Sequence, residues 1–303
     1  MNTPKISLGS WAFSFGPFES DPWSWDRFLD FTVKSGYDGV EINAVPPHPH
    51  PSEFNSVGKC KELILKLTDM GLGISGYAVN GALPDMAAAP PSTASPNQIT
   101  NAFRPYLEFC SRVGIKSLRF DTASPPIEMD KDSYESHFEN AVKAIKALAK
   151  SSSDNGITLM WEFEPGFWLN KPSEVIRLHE EVDHSHFKLL FDTSHAYMGA
   201  VVGSRHTDGK EILPGGTAEY AEKIKSRMGH LHLIDSDGLL HDDDTSTHIE
   251  FGKGLVDFPA TLNALKPELN RLEWWCVDFC FNPKGPVGAK DAVPFLHNLC
   301  NSI

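Results

Sequence analysis

Positive charge is in short supply: 27 Lys and Arg stand against 40 Asp and Glu, a net charge of −13 over 303 residues. A surface of that sign repels nucleic-acid backbones and anionic membranes unless a local basic patch overrides it. The densest basic stretch, Lys143 to Lys150, has helical spacing and reads as a solvated helix face. Neither nucleic acid nor membrane is expected as a partner, and a phosphodiester substrate is disfavoured. Cysteine is also sparse, with five scattered residues (Cys60, Cys110, Cys276, Cys280, Cys300). Cys276 and Cys280 lie four apart in an apparent strand, roughly 13 Å, too far for a disulfide. Reduced thiols in a cytoplasmic protein are the expectation. No apolar stretch approaches the ~20 residues of a membrane span, and Met1 to Leu8 lacks the pattern of a secretory signal.

What is present is a repeated alternation of short apolar runs with longer amphipathic stretches. Strands are expected at Ile6–Trp11, Gly39–Asn43, Gly73–Ala78, Ile115–Asp121, Thr158–Glu164, Phe187–Asp192, Gly229–Ile234 and Glu273–Phe279. Helices are expected near Ser24–Ser35, Ser56–Met70, Gln98–Arg112, Lys131–Lys150, Pro172–Val182, Ala218–Arg227, Phe258–Lys266 and Asp291–Asn301. Gly36, Gly71, Gly114, Gly156 and Gly229 precede strands and suit helix ends. Eight βα units in a chain of this length predict a closed parallel (β/α)8 TIM barrel forming one domain over residues 1–303. The first turn, Gly9-Ser10-Trp11-Ala12, lacks the glycine fingerprint of a dinucleotide-binding sheet. Two connections are long, Ala82 to Pro96 after strand 3 and the Gly-rich Ala196 to Gly216 after strand 6, and read as loops or lids.

Active sites of such barrels lie at the C-terminal ends of the strands. Alternation along strand 5 places Met160, Glu162 and Glu164 on one face and Trp161 and Phe163 on the other. Inward carboxylates on an apolar strand are costly unless paired or bound to a cation. Strand 6 ends Asp192-Thr193-Ser194-His195, strand 7 contains His230-Leu231-His232, and strand 8 contains Asp278. Any one of these polar groups is as easily a loop's hydrogen-bond partner, but four consecutive strands each ending in one make coincidence the weaker account. Glu162, Asp192, His232 and Asp278 form a three-oxygen, one-nitrogen set for a single divalent metal. Mn2+ heads the list, with Mg2+, Co2+, Fe2+ and Zn2+ also accommodated.

These segments resemble the xylose-isomerase-like barrel superfamily of sugar phosphate isomerases and epimerases. The similar pieces are Gly39-Val40-Glu41-Ile42, Glu162 before Pro165-Gly166, Asp192-Thr193-Ser194-His195, His232-Leu233-Ile234-Asp235 and Phe251-Gly252-Lys253-Gly254. The resemblance implies that Glu162, Asp192, His232 and Asp278 are the metal ligands and that Glu162 and Asp278 also serve as acid and base. They would flank a carbon next to a carbonyl whose oxygen the metal polarises, stabilising an ene-diolate. It further implies that His195 contacts substrate. The chain departs from the family in having Asp278 where Glu is usual, Trp168 where ketose 3-epimerases carry a second Glu, and no Arg between Asp235 and His241. A simple ketose 3-epimerase is thereby weakened.

Further candidates for substrate binding are Glu164, Arg119, Trp168, Glu41, His48 and Lys253. Glu41 either orients a ligand or bonds a neighbouring strand, and His48 and His50 lie in a Pro-rich loop that the family places near the mouth. Arg119 and Asp121 alternate on strand 4 as a candidate ion pair lining the site. His230 reads as a satisfied core histidine, and Asp242-Asp243-Asp244 as a solvated loop. His248 and Lys253, after strand 7, are candidates for an oxyanion contact. Trp274, Trp275, Phe279 and Phe281 suit either a sugar face or a subunit interface, as in a homo-oligomer. The expectation is a metal-dependent isomerase or epimerase of a small polyhydroxylated, non-phosphorylated ketone. A lyase that loses a β-hydroxyl after the same proton abstraction is the alternative. An endonuclease-like hydrolase, which the net charge opposes, and a non-catalytic metabolite-binding barrel rank lower.

Overall fold

The structure, a computed structural model, describes residues 3–81, 83–122, 131–206, 208–242 and 245–303. The strands are β1 (Lys5–Gly9), β2 (Gly39–Asn43), β3 (Gly73–Ala78), β4 (Ser117–Phe120), β5 (Thr158–Glu162), β6 (Phe187–Asp192), β7 (Met228–Leu233) and β8 (Trp274–Val277). Each pairs in parallel with the next, and β8 pairs back onto β1, so the sheet closes. The helices are α1 (Trp25–Lys34), α2 (Val57–Asp69), α3 (Pro84–Ala87), α4 (Pro96–Val113), α5 (Lys131–Asp154), α6 (Pro172–Val182), α7 (Thr193–Tyr197), α8 (Gly216–Ile224), α9 (Phe258–Leu269) and α10 (Gly285–Ser302). The expected (β/α)8 TIM barrel is the observed fold.

Local chemistry explains the helix ends. Ser95 and Gln98 form a capping box at the start of α4, satisfying two otherwise orphaned N–H donors. Gly114 ends the same helix at φ 85°, a left-handed conformation that favours glycine. Outward strand residues such as Trp161 and Trp275, and Phe163 just after β5, are fully buried between sheet and helices. The inward side is plugged at its N-terminal end by Trp274, whose indole lies where a Cβ on Gly39 or Gly73 would stand. Trp274 is thus far from the mouth, and Trp275 and Phe279 are core residues; of the four aromatics, only Phe281 faces the cavity at the mouth.

Three expectations change. β1 stops at Gly9, and Ser10–Phe13 form a 3-10 turn instead of continuing the strand to Trp11. The long connection after β3 contains α3. The connection after β6 starts as helix, α7 capped by Asp192 and followed by a π-helical turn over Met198–Val202, and is irregular only beyond Val202 among the described residues. Asp243 and Asp244 lie outside the described residues, and Asp242 is exposed.

Candidate active site

β5, β6, β7 and the residue following β8 each deliver one side chain to a common point. Ligand atoms of Glu162, Asp192, His232 and Asp278 all lie within 4.8 Å of one another, and all four residues are buried. Asp192 is both the last residue of β6 and the cap of α7. Its Oδ1 accepts the N–H groups of Ser194 and His195 at 2.8 Å each. That leaves Oδ2 buried without a hydrogen-bond partner. Burial above all, reinforced by the like charges of Asp278 and Glu162 against the pull of His248 and His232, pushes the Asp192 carboxyl up to about 7.

His232 is held from both sides. Its Nδ1 lies 3.0 Å from Glu162 Oε1 and 3.6 Å from Asp278 Oδ2. Its Nε2 donates to Glu41 Oε2 at 3.2 Å, and His230 Nε2 donates to the same oxygen at 2.6 Å. A carboxylate can only accept, so Glu41 fixes the hydrogen on Nε2 and turns Nδ1 towards the ring of acids. Burial alone would drive the His232 pKa down; Glu41 and Glu162 outweigh it and raise it well above the usual histidine range. An imidazolium proton and an Asp192 carboxyl that is partly protonated near neutral pH are what such a ring holds when no cation shares its charge. The orphaned Asp192 oxygen, the crowding of three carboxylates and the oriented imidazole together fit a divalent cation, with Glu41 as the outer carboxylate that orients the histidine.

Above the ring, Arg119 on β4 is engaged three times. It donates to Glu162 Oε2, to Asp121 Oδ2 at 2.8 Å and to Glu164 Oε1 at 2.6 Å. Glu164 Oε2 accepts Thr245 Oγ1 at 2.8 Å. Burial chiefly, with Glu162 and Asp121 adding to it against Arg119, holds the Glu164 carboxyl well above the usual range. Arg119 has the opposite effect on Glu162: together with His232 it overcomes burial and brings that carboxyl to about 2. Asp278 is ionised too, because His248 and His232 outweigh its burial. Its Oδ1 accepts Trp11 Nε1 at 2.6 Å.

A cavity of about 250 Å³ opens over these groups. Arg119, Glu162, Glu164, His195, His248 and Asp278 supply its charged and titratable walls. Trp11, Phe15, Phe167 and Phe281 supply apolar ones. His195 is oriented by Ser246 Oγ, 2.8 Å from its Nδ1, and its Nε2 stands 3.7 Å from Glu164 Oε2 and 3.9 Å from Glu162 Oε1. Burial lowers the His195 pKa to about 3 despite the nearby Glu162, leaving a neutral imidazole.

Three candidates stand away from this cavity. His48 is buried behind the first βα turn, its Nδ1 3.2 Å from Ser10 Oγ and its ring against Trp25 and Phe28. Trp168 points into the shell against Tyr134, and its neighbour Phe167 takes the wall. Lys253 is exposed, where the N–H groups of Gly252 and Gly254 donate to Asp235 and fold the turn outward. Trp11 was missed because its apolar character extended the first strand's pattern. Thr245 carries no pattern signal at all. Glu41, Glu164, Arg119 and His195 lie at the site, Glu41 beneath it and the others on its walls.

The sequence agrees with this geometry. The family model described as xylose isomerase-like TIM barrel matches residues 29–296. The chain belongs to that family. A curated relative, inosose dehydratase of Bacillus velezensis, is 22% identical over 219 residues, 69% of this chain. The match spans only 62% of that relative's length. The D-allulose 3-epimerase of Methylomonas sp. in complex with D-allulose superposes with a TM-score of 0.71 at 18% identity, covering 97% of this chain and 96% of that one. The IOLI protein with a bound zinc atom superposes at 0.64 and 18% identity, covering 98% and 96%. At such identities the solved structures establish the fold; several of them are sugar epimerases.

Proposed function

We propose that this protein is a metal-dependent isomerase or epimerase that removes and returns a proton on the carbon α to the carbonyl of a small, neutral, polyhydroxylated ketone. The observation that carries this reading is the buried four-residue ring, with an unpartnered Asp192 oxygen, at the floor of a polar-and-aromatic cavity. A divalent cation held by Glu162, Asp192, His232 and Asp278 would polarise the substrate carbonyl and acidify the neighbouring C–H. The zinc-bound relative supports a cation of this kind without identifying it.

The chain's own groups set the rest. Glu162 and Asp278 each have one oxygen turned to the ring and the other occupied, by Arg119 and Trp11 respectively. Both are therefore better suited as ligands than as the acid and base that the family resemblance implies. Proton movement falls to Glu164, kept protonated on the cavity wall and a stronger base than an ordinary carboxylate once it gives up that proton, with the neutral His195 3.7 Å away as a hydrogen-bonding partner. Arg119 is committed to three carboxylates, and no other lysine or arginine lines the cavity among the described residues. That favours an uncharged substrate over a phosphorylated one.

A lyase is the second reading. A protonated Glu164 can protonate a departing β-hydroxyl after the same abstraction, and the inosose dehydratase relative points the same way. Both readings are tested on Mn2+-loaded protein in D2O with D-tagatose and with an inosose. Loss of the α-proton signal with an epimeric product supports the first, and loss of water supports the second. About one ion per chain, absent in Glu162→Ala, is expected by elemental analysis. A chain that retains no ion from any divalent metal would sink both.

A further inference from the structure

The wall formed by β8 and the segment preceding α9 carries a polar atom that the reaction scheme above leaves unused. His248 is 4% exposed, lines the cavity, and its Nε2 has no hydrogen-bond partner. Its aim is set by its neighbours. The N–H of Cys280 donates to Nδ1 at 3.3 Å, Asn282 Nδ2 donates to the His248 carbonyl at 2.9 Å, and the next residue, Ile249, bridges to Asp235. A backbone N–H can only donate, so the Cys280 contact puts the hydrogen of a neutral ring on Nε2; the imidazolium that the Asp278 carboxylate at 3.3 Å favours carries a hydrogen on Nε2 as well. A buried N–H without an acceptor is destabilising, and a ligand oxygen removes that penalty.

Asp278 does not serve as that acceptor. Its Oδ1 lies 3.3 Å from Nδ1, on the other side of the ring, and already accepts Trp11 Nε1. Trp11 occupies that place because residue 9 is glycine: a Cβ there would meet the indole at 2.4 Å. The same indole packs on His232 with ring centroids 5.4 Å apart. Trp11 therefore takes up the strand-8 acid and leaves the imidazole of His248 as the hydrogen-bonding group on this wall.

We propose that His248 is a substrate-binding residue whose Nε2–H donates to a hydroxyl or carbonyl oxygen of the ligand, across the cavity from Arg119 and Glu164. The ligand class, a neutral polyhydroxylated ketone, rests on the function proposed above. The proposal itself does not depend on which product forms.

The test uses Mn2+-loaded full chain with His248→Ala, His248→Gln and His248→Asn. Binding of myo-inositol, a neutral polyol that lacks the carbonyl, is followed by ligand-observed NMR, and α-proton exchange of an inosose by kcat and KM. Metal content is measured on every sample. Expected are one ion per chain throughout and a binding loss of about 10- to 100-fold in His248→Ala, equivalent to one hydrogen bond. Partial rescue is expected in His248→Gln, whose amide N–H reaches the Nε2 position, and none in the shorter Asn. Unchanged binding and KM in His248→Ala overturn the proposal, as does a second ion in the parent chain that this variant loses, which would make His248 a ligand. Wild-type binding of the polyol without proton exchange of any ketone defeats the proposed reaction and leaves the contact standing. Wild-type chain that neither binds nor exchanges overturns both.

Discussion

The two halves of the barrel do different work at one site. β5, β6, β7 and the residue following β8 each supply a member of the proposed metal-binding ring, while β1 to β4 supply none. The first half instead supplies the groups that hold the ring. Trp11, after β1, takes one oxygen of Asp278; Glu41 on β2 fixes the tautomer of His232; Arg119 on β4 compensates Glu162 and Glu164. A closed sheet makes this division possible, because β1 lies against β8 and β4 against β5. The lesson is that ligand identity and ligand geometry come from opposite sides of the barrel, so they can be perturbed separately.

The strongest way to break the division is to remove Arg119. Three carboxyl groups, the ionised Glu162 among them, lose a common partner that is 9% exposed. Arg119→Met should lower the unfolding free energy by about 3–5 kcal/mol, the cost of leaving buried charge uncompensated. The loss is expected in full in the presence of a chelator, and to shrink when Mn2+ is added, because the cation then takes over part of the charge of Glu162. Denaturant titrations in the two conditions read this directly. An equal loss with and without metal would mean that Arg119 and the ring are electrostatically independent.

How visible each half is in the sequence follows from the same division. The strand bounds Gly39–Asn43, Gly73–Ala78 and Phe187–Asp192 coincide with their apolar runs, because strands covered by helices are apolar throughout. The ring residues are legible for a related reason: a charged residue at the end of an apolar run stands out. The supporting contacts have no such mark. Trp11 and Asp278 are 267 residues apart, and only closure of the sheet brings them together. His48 is the converse case. A histidine among prolines looks like a loop residue at the mouth, yet the chain folds it back under the first turn, where Ser10 and Ser14 face its two nitrogens. Trp168 was placed one residue from the truth, since Phe167 is the cavity residue.

A finer probe of the division is Glu41→Gln, which is isosteric and keeps a hydrogen bond to His232 but no longer demands a hydrogen on Nε2. Metal affinity should fall by about 10- to 100-fold, as for other outer carboxylates that orient a ligating histidine. Calorimetric titration with Mn2+ measures it, and Glu162→Ala, which removes a ligand, should fall much further. Should the two variants lose affinity equally, Glu41 would have to be counted as a ligand and the division between the halves redrawn.

The smallest expected effect concerns His48, which supports the turn that carries Trp11 and touches nothing in the ring. Burial lowers its pKa from 6.5 to about 4. The unfolded chain therefore binds a proton on this side chain below pH 6.5 that the folded chain refuses. The stability contribution is complete above 6.5 and is lost progressively as the pH falls towards 4. Between about pH 7.5 and pH 5.5 the shift amounts to about 1.3 kcal/mol, and His48→Gln should flatten the pH dependence by that much. Chelator-treated wild type and variant, unfolded in denaturant at both pH values, give the difference free of metal effects. If the two slopes agree, His48 carries a proton in the folded chain. Its hydroxyl partners Ser10 and Ser14 would then be acting as acceptors, and the first turn would be held by an imidazolium instead of a neutral ring.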